Sequence, residues 1–226
     1  RYSYNTTDGY IRNGKGKLNS FFATMGYLAK RSSFKVIYIY GDQHTGITWE
    51  GASREMLESD RRGNIAGMYY DEGGNVRYYD NETDNYTQHF VQGFFSHRFD
   101  NGLYWNNTLN FTKGDGYYEN YKDDAKFSKY GLQPQNSISK SDLIIRQQMD
   151  NEYYVVTSAL KYRSDLLDLS AGGTYSYYDG LHFGNVIWAM HNENIPENYQ
   201  WYDNTGDKWE AGGFVKGEID LSEWTL

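Results

Sequence analysis

The chain of 226 residues has no cysteine, which excludes disulfides, thiolate nucleophiles and cysteine-ligated zinc. Its 2 prolines leave almost every backbone N–H free to donate, as long hydrogen-bonded strands require. No apolar run approaches the ~20 residues of a membrane-spanning helix, and the mean hydropathy is -0.84. That shortage excludes helical spans and leaves strands untouched, because a strand crossing a bilayer needs only one apolar side. A net charge of -8 lacks the clustered Lys and Arg that phosphate backbones demand, so no nucleic acid is expected as a partner. Nothing pairs a nucleophile with a base at credible spacing, and no serine sits in a nucleophile elbow; no catalytic residue is expected, and the chain is read as no enzyme. His44, His89, His97, His182 and His191 lack zinc-like spacing. The run from Asp80 to Asn85 lacks the glycine and closing glutamate of a calcium loop and reads as an acidic, solvated loop entering a strand. Gly114-Asp115-Gly116 and Gly172-Gly173 lack the setting of phosphate loops and read as places where a strand bends or packs closely. Neither metal nor cofactor is expected.

Tyrosine and glycine fill the space these absences leave, with 24 of each and an aromatic content of 18%. That much aromatic surface argues against disorder. About eight segments alternate in polarity. From Leu103 to Tyr117, the residues Leu103, Trp105, Asn107, Leu109 and Phe111 alternate with Tyr104, Asn106, Thr108, Asn110 and Thr112. Period two sends these sets to opposite faces. Leu167, Leu169, Ala171, Gly173, Tyr175 and Tyr177 alternate with Asp168, Ser170, Gly172, Thr174 and Ser176. Trp209, Ala211, Gly213, Val215 and Ile219 alternate with Glu210, Lys216, Glu218 and Asp220. Tyr154, Val156, Ser158, Leu160 and Tyr162 form a weaker set, and Phe21, Ala23, Met25 and Tyr27 another. Val36 to Tyr40 is apolar on both faces and His89 to Phe99 is ambiguous, so periodicity orients neither. The pairs Tyr117-Tyr118, Tyr153-Tyr154 and Tyr177-Tyr178 fit either an interfacial girdle or the plain preference of tyrosine for strands.

The connections sort into two kinds. Those at 29–33, 98–102 and 164–166 are tight; those at 43–85, 117–149 and 179–206 are long, polar and rich in Tyr, Trp, Asn and Asp. Short turns on one side and long loops on the other characterise outer-membrane barrels. Glu50 to Arg62 is expected to form one or two helical turns within the first long loop. The expected fold is all-β: an antiparallel up-and-down meander of about eight long strands, part of a large transmembrane β-barrel. The alternative is a soluble secreted carbohydrate-binding β-sandwich, in which the Leu103–Phe111 face packs on a second sheet; a third reading is a complete small barrel.

Specific motifs add a family resemblance. Thr48-Trp49-Glu50-Gly51, Asn64-Ile65-Ala66-Gly67-Met68-Tyr69 and the run Tyr79 to Tyr86 resemble TonB-dependent outer-membrane receptors of Bacteroidetes type. So do Ser96-His97-Arg98-Phe99, Lys113-Gly114-Asp115-Gly116-Tyr117-Tyr118-Glu119 and the run Asp179 to Ala189. Asp8-Gly9-Tyr10-Ile11 and the run Tyr202 to Lys208 extend the match almost end to end. The resemblance implies a bacterial outer-membrane localisation and a 22-stranded barrel, plugged by an N-terminal domain and driven by TonB, that takes up a scarce ligand. A metal chelate of siderophore, haem or cobalamin type is the ligand it implies. The chain shows no plug, too few strands to close such a barrel, and the ending Trp224-Thr225-Leu226 in place of an aromatic-terminated strand. Residues 1–226 are therefore expected to be an internal slice of the barrel domain, with energy coupling residing elsewhere. The expected partners are outer-membrane lipid, the protein's own plug and remaining strands, the TonB system acting through that plug, and the small-molecule chelate.

Two residue sets follow. The lipid-facing set is Leu103, Trp105, Leu109, Phe111, Leu167, Leu169, Tyr175, Trp209, Val215 and Ile219, with Asp168, Glu210 and Glu218 facing a wet interior. The ligand-binding loop candidates are Trp49, Tyr69, Tyr70, Tyr78, Tyr79, Tyr118, Tyr121, Trp188, Trp201 and Tyr202. Aromatic faces near amide donors grip bulky amphipathic ligands; equally, such residues pack loops on one another.

Overall fold

A computed structural model describes residues 1–134 and 136–219. Asp220 and the ending at Trp224 lie outside the described residues. Eight strands form one antiparallel sheet: β1 (Tyr2–Thr7), β2 (Gly16–Leu28), β3 (Ser32–Gly46), β6 (Thr83–Arg98), β7 (Leu103–Lys126), β8 (Lys140–Arg163), β9 (Leu167–Ala189) and β10 (Tyr199–Ile219). Each pairs with its neighbours in sequence order, so the sheet is the expected meander. It is open, with β1 and β10 as its edges. Between β3 and β6 lie a short helix α1 (Arg54–Ser59), capped by the Ser53 side chain accepting from the Met56 N–H at 3.1 Å, and a hairpin of β4 (Met68–Tyr70) and β5 (Val76–Tyr78).

The tight connections fall where turn chemistry places them. Ala29 N–H donates to Ser32 at 2.8 Å, Phe99 N–H to Leu103 at 2.8 Å and Ser164 N–H to Leu167 at 2.9 Å. Gly102 sits at φ +79°, where a Cβ would lie 2.5 Å from the Arg163 carbonyl oxygen, so only glycine closes that turn without strain. At the opposite end the long connections are shorter than the sequence suggests. β3 runs to Gly46, β7 to Lys126, and β8, β9 and β10 likewise occupy most of the stretches 117–149 and 179–206. The polar, tyrosine-rich runs there are strand, paired through the backbone where no side-chain alternation advertises it.

Register places the apolar residues together. Directly opposed residues of an antiparallel pair share a face. Leu109 is paired with Gly93 on one side and Val156 on the other, Val156 with Tyr175, and Tyr175 with Ala211. All the residues expected to face lipid therefore lie on one face, and Asp168, Glu210 and Glu218 lie on the other. The segments that periodicity left open are oriented by their partners: Phe34, Val36, Tyr38 and Tyr40, and His89, Val91, Phe95 and His97, join the apolar face. Among the described residues no second sheet covers it; Trp105 is 39% exposed, Leu109 58% and Leu169 39%. The sandwich is thereby corrected, because its hydrophobic face would be dry. The open edges correct the complete small barrel.

One polar group interrupts the apolar face. Asn107 stands between Phe95 and Ser158 in register, and its buried Nδ2 has no hydrogen-bond partner among the described residues. Neighbouring Trp105 donates its indole N–H to Ser158 Oγ at 3.0 Å, which engages the one hydroxyl in reach. A buried amide left unmade costs about 1–3 kcal/mol. Asn107→Leu should therefore raise the unfolding free energy by about 1 kcal/mol or more in denaturant titrations, whereas Asn106→Leu on the opposite face should not.

Candidate functional site

Beyond the apolar stretch the strands project past Phe111 for a further fifteen residues of β7, about 50 Å at ~3.4 Å per residue. Most of the aromatic candidates gather on this projection in two groups, one on each face. Tyr118, Tyr121, Trp188, Trp201 and Tyr202 are strand residues, and Tyr69, Tyr70 and Tyr78 belong to the β4–β5 hairpin; only Trp49 and Tyr79 lie outside regular structure. The loop assignment is corrected for the five strand residues Tyr118, Tyr121, Trp188, Trp201 and Tyr202, whereas the hairpin lies within the first long connection.

On the apolar side, Tyr69 stacks on Tyr121 at 4.4 Å between ring centres, Tyr79 leans on it at 5.8 Å, and Trp188 lies beyond at 6.3 Å. A bulge between Ile144 and Ile145 pairs Ile144 with Trp188, bringing the indole to the face of Tyr121. Two buried carboxylates fasten the first long connection to this wall. Glu119 accepts from Tyr79 Oη at 2.5 Å, Asn81 Nδ2 at 2.6 Å and Arg146 Nε at 2.6 Å. Arg146 also lies 4.5 Å over the Tyr117 ring. Glu82 accepts from Asn120 Nδ2 at 2.6 Å and from the Tyr121 backbone N–H at 2.8 Å. Burial and then the Glu119 carboxylate raise the Tyr79 phenol above its ordinary pKa, so it stays a donor. These aromatics pack a connection on the sheet. From the run Asp80 to Asn85 only Asn81 and Glu82 join these partners, while Asn85 bonds to Thr83 and His44; no metal-holding group of three or more His or acidic residues occurs among the described residues.

On the polar face the register builds a cradle. Asp84, Tyr118, Gln147, Gly184 and Tyr202 form one row across five strands, and Tyr86, Gly116, Met149 and His182 form the adjacent row. All of these but Gly184 line a groove of about 210 Å³. The two glycines of these rows are required by the rings beside them. A Cβ on Gly116 would come within 2.7 Å of the Tyr86 ring, and one on Gly184 within 2.3 Å of the Tyr202 ring. Trp49 meets Tyr118 edge-on at 5.7 Å. Trp201 bridges Tyr202, edge-on at 5.1 Å, and Tyr130, at 5.2 Å, beside a small core of Phe127, Leu132, Leu143, Ile145, Val186 and Ala189. Tyr78 lies beneath the Arg12 guanidinium at 4.1 Å, and Tyr70 is exposed; neither joins a group.

Of the ligand candidates, the structure thus brings Tyr118 and Tyr202 to one groove, with Trp49 against the Tyr118 ring, and Tyr69, Tyr79, Tyr121 and Trp188 to one stack. Asp84, Tyr86, Gln147 and Met149 were missed as site residues, as were the anchors Glu82 and Glu119. The available signal was alternation: Asp84 and Tyr86 share parity with the polar positions of their strand.

No protein-family model and no curated protein matches the chain. Among solved structures, BauA, the ferric preacinetobactin receptor from Acinetobacter baumannii, superposes with a TM-score of 0.57 at 7% identity, over 97% of this chain and 33% of the receptor. The chain spans about a third of that receptor's length. At this identity the likeness concerns fold alone: an antiparallel β-sheet like that of part of the receptor.

Two outcomes test the anchors. Glu119→Ala removes an acceptor shared by three donors, where hydrogen bonds to charged groups contribute about 1.5–3 kcal/mol; amide exchange across the β4–β5 hairpin should accelerate while that of β8 and β9 does not. Burial, the largest influence on Glu82, raises its pKa, partly offset by the Tyr121 and Asn120 bonds. A raised folded-state value means that the docked connection is most stable below the unfolded value of about 4.3 and loses that contribution as pH rises through the folded value. Glu82→Gln should flatten this part of the pH dependence of exchange in residues 47–82.

Proposed function

We propose that this chain is a stretch of the wall of an outer-membrane receptor of TonB-dependent, Bacteroidetes type, carrying strand extensions and connections that capture a small ligand for uptake. The observation that carries the reading is the apolar face, interrupted over Leu103 to Phe111 only by Asn107. From Leu103 to Phe111 it spans eight residue steps, about 27 Å along the strand. At the typical tilt of about 40° this is roughly 21 Å across, and one more residue at each end makes up the ~25 Å apolar band of such barrels. The opposite face is rich in amides, hydroxyls and charge, as a wet lumen requires. The resemblance in sequence motifs and the likeness in fold to BauA support the same reading.

The open edges also fit a segment of a larger ring. In hydrocarbon, unpaired backbone groups cost several kcal/mol each, which only closure removes. On this reading β1 with β2 on one side, and β10 on the other, pair with further strands of the same barrel. A metal chelate of siderophore, haem or cobalamin type is the proposed cargo, with coupling to TonB through a plug domain that these residues do not contain.

The test places the wall in the full barrel. Leu109→Lys should destabilise the barrel in bilayers by about 2–4 kcal/mol, whereas Thr108→Lys, one residue on and facing the lumen, should cost far less. Equal costs would remove the lipid assignment. Deleting the 47–82 connection should abolish uptake while insertion persists, and retained uptake would remove the capture assignment.

A further inference from the structure

The groove on the polar face has one feature its aromatic lining does not explain. Asp84 stands at the end of the row that continues through Tyr118 and Gln147 to Tyr202, with Tyr86 and Met149 in the adjacent row. Its carboxylate is half-buried, and burial alone raises its pKa, with no cation or donor among the described residues offsetting it. The cations of the same region are engaged elsewhere. Lys208 pairs with Glu210 at 2.6 Å, and Arg146 pairs with Glu119 on the other face. Lys122 acts on Glu82.

A partly desolvated carboxylate beside tyrosine faces has a definite preference. The negative face of each ring and the carboxylate attract the same sign of charge, and each gains as water leaves. An anionic group entering the groove meets repulsion from both. The rings are held open for this contact, since Tyr86 and Tyr202 lie over glycines that keep them flat against the sheet. Met149 adds a polarizable thioether at the floor.

We propose that this groove binds the positively charged portion of the ligand, an alkylammonium or arylammonium group, with Asp84 as counter-charge and Tyr86 and Tyr118 as the adjoining aromatic walls. The proposal rests on the receptor reading for its setting, because only in a barrel does the polar face line the ligand's route. Charge complementarity of this kind sets which chelates pass, independently of the metal they carry.

The test uses the full barrel in maltoside detergent, which carries no ammonium group, and follows binding by calorimetry. The probes are choline, its uncharged isostere 3,3-dimethylbutan-1-ol and the anion 3,3-dimethylbutanoate. Choline should bind at least about 10-fold more tightly than the alcohol, a difference of about 1.4 kcal/mol, and the anion should bind weakest. Asp84→Asn should bring choline and the alcohol within about twofold, and Tyr118→Leu, which leaves the carboxylate in place, should weaken choline by about 10-fold. Equal affinities in the unaltered protein, or a choline preference that survives Asp84→Asn, overturns the proposal. A protein that requires detergent yet shows no preference loses the cation site and keeps the barrel. One that stays in plain buffer and shows the preference keeps the site and loses the barrel.

Discussion

Strand register is the constraint on which both faces of this protein depend. Opposed residues share a face, so each pairing hands its neighbour the same division between apolar and polar positions. One row runs from Ala23 through Tyr38, Val91, Phe111, Tyr154 and Tyr177 to Trp209; another runs from Tyr27 through Phe34, Phe95, Asn107 and Ser158 to Gly173 and Gly213. A slip of one residue in the pairing of β7 would bring Asn110 or Thr112 into the first row and break the band there. The shifts that do occur, at Lys122/Ala125, Ile144/Ile145 and Gln200/Tyr202, all lie on the outer projection. The pairing is regular where an error would expose polar groups along the apolar face, and irregular only where aromatic side chains are being aimed.

This division explains what could be read from the residues alone. The tight turns at 29–31, 99–102 and 164–166 carry their own chemistry, and alternation oriented β7, β9 and β10 over the apolar stretch. Beyond it, alternation disappears because both faces of the projection are polar or aromatic. Glu119-Asn120-Tyr121-Lys122 has no period two, yet it is strand, held by ladders to β6 and β8 or to β8 alone. Local pattern records burial contrast, and a strand without contrast leaves no trace in it. Trp188 was placed by a bulge that no composition reveals, and Glu82 and Glu119 were anchors only in light of partners tens of residues away.

The projection replaces one kind of cohesion with another. Within the apolar stretch a side chain's surroundings are uniform, so shape matters less than hydrophobicity. Farther out, the first long connection is held by carboxylates accepting hydrogen bonds at 2.5–2.8 Å from Tyr79, Asn81, Arg146, Asn120 and the Tyr121 backbone. The second is held by a compact core around Phe127 and Leu143. The hydrogen bonds fix direction and the core removes apolar surface from water, and together they hold the aromatic groups in defined contacts on a surface exposed to water.

The same need accounts for the glycines of the polar face. Tyrosine on a strand normally leans over its cross-strand neighbour, and a side chain there would lift the ring away from the sheet. Gly116 and Gly184 remove that obstacle beside Tyr86 and Tyr202, so ring faces and the space between them are both preserved. Without that space Asp84 would be sealed beneath tyrosine and its burial would be only a cost. With it, the carboxylate stands at the wall of an open groove, where a neutralising partner has to come from outside the sheet. The glycines therefore connect backbone packing to charge selectivity: the residue with no side chain decides whether its neighbours' chemistry is available to a ligand.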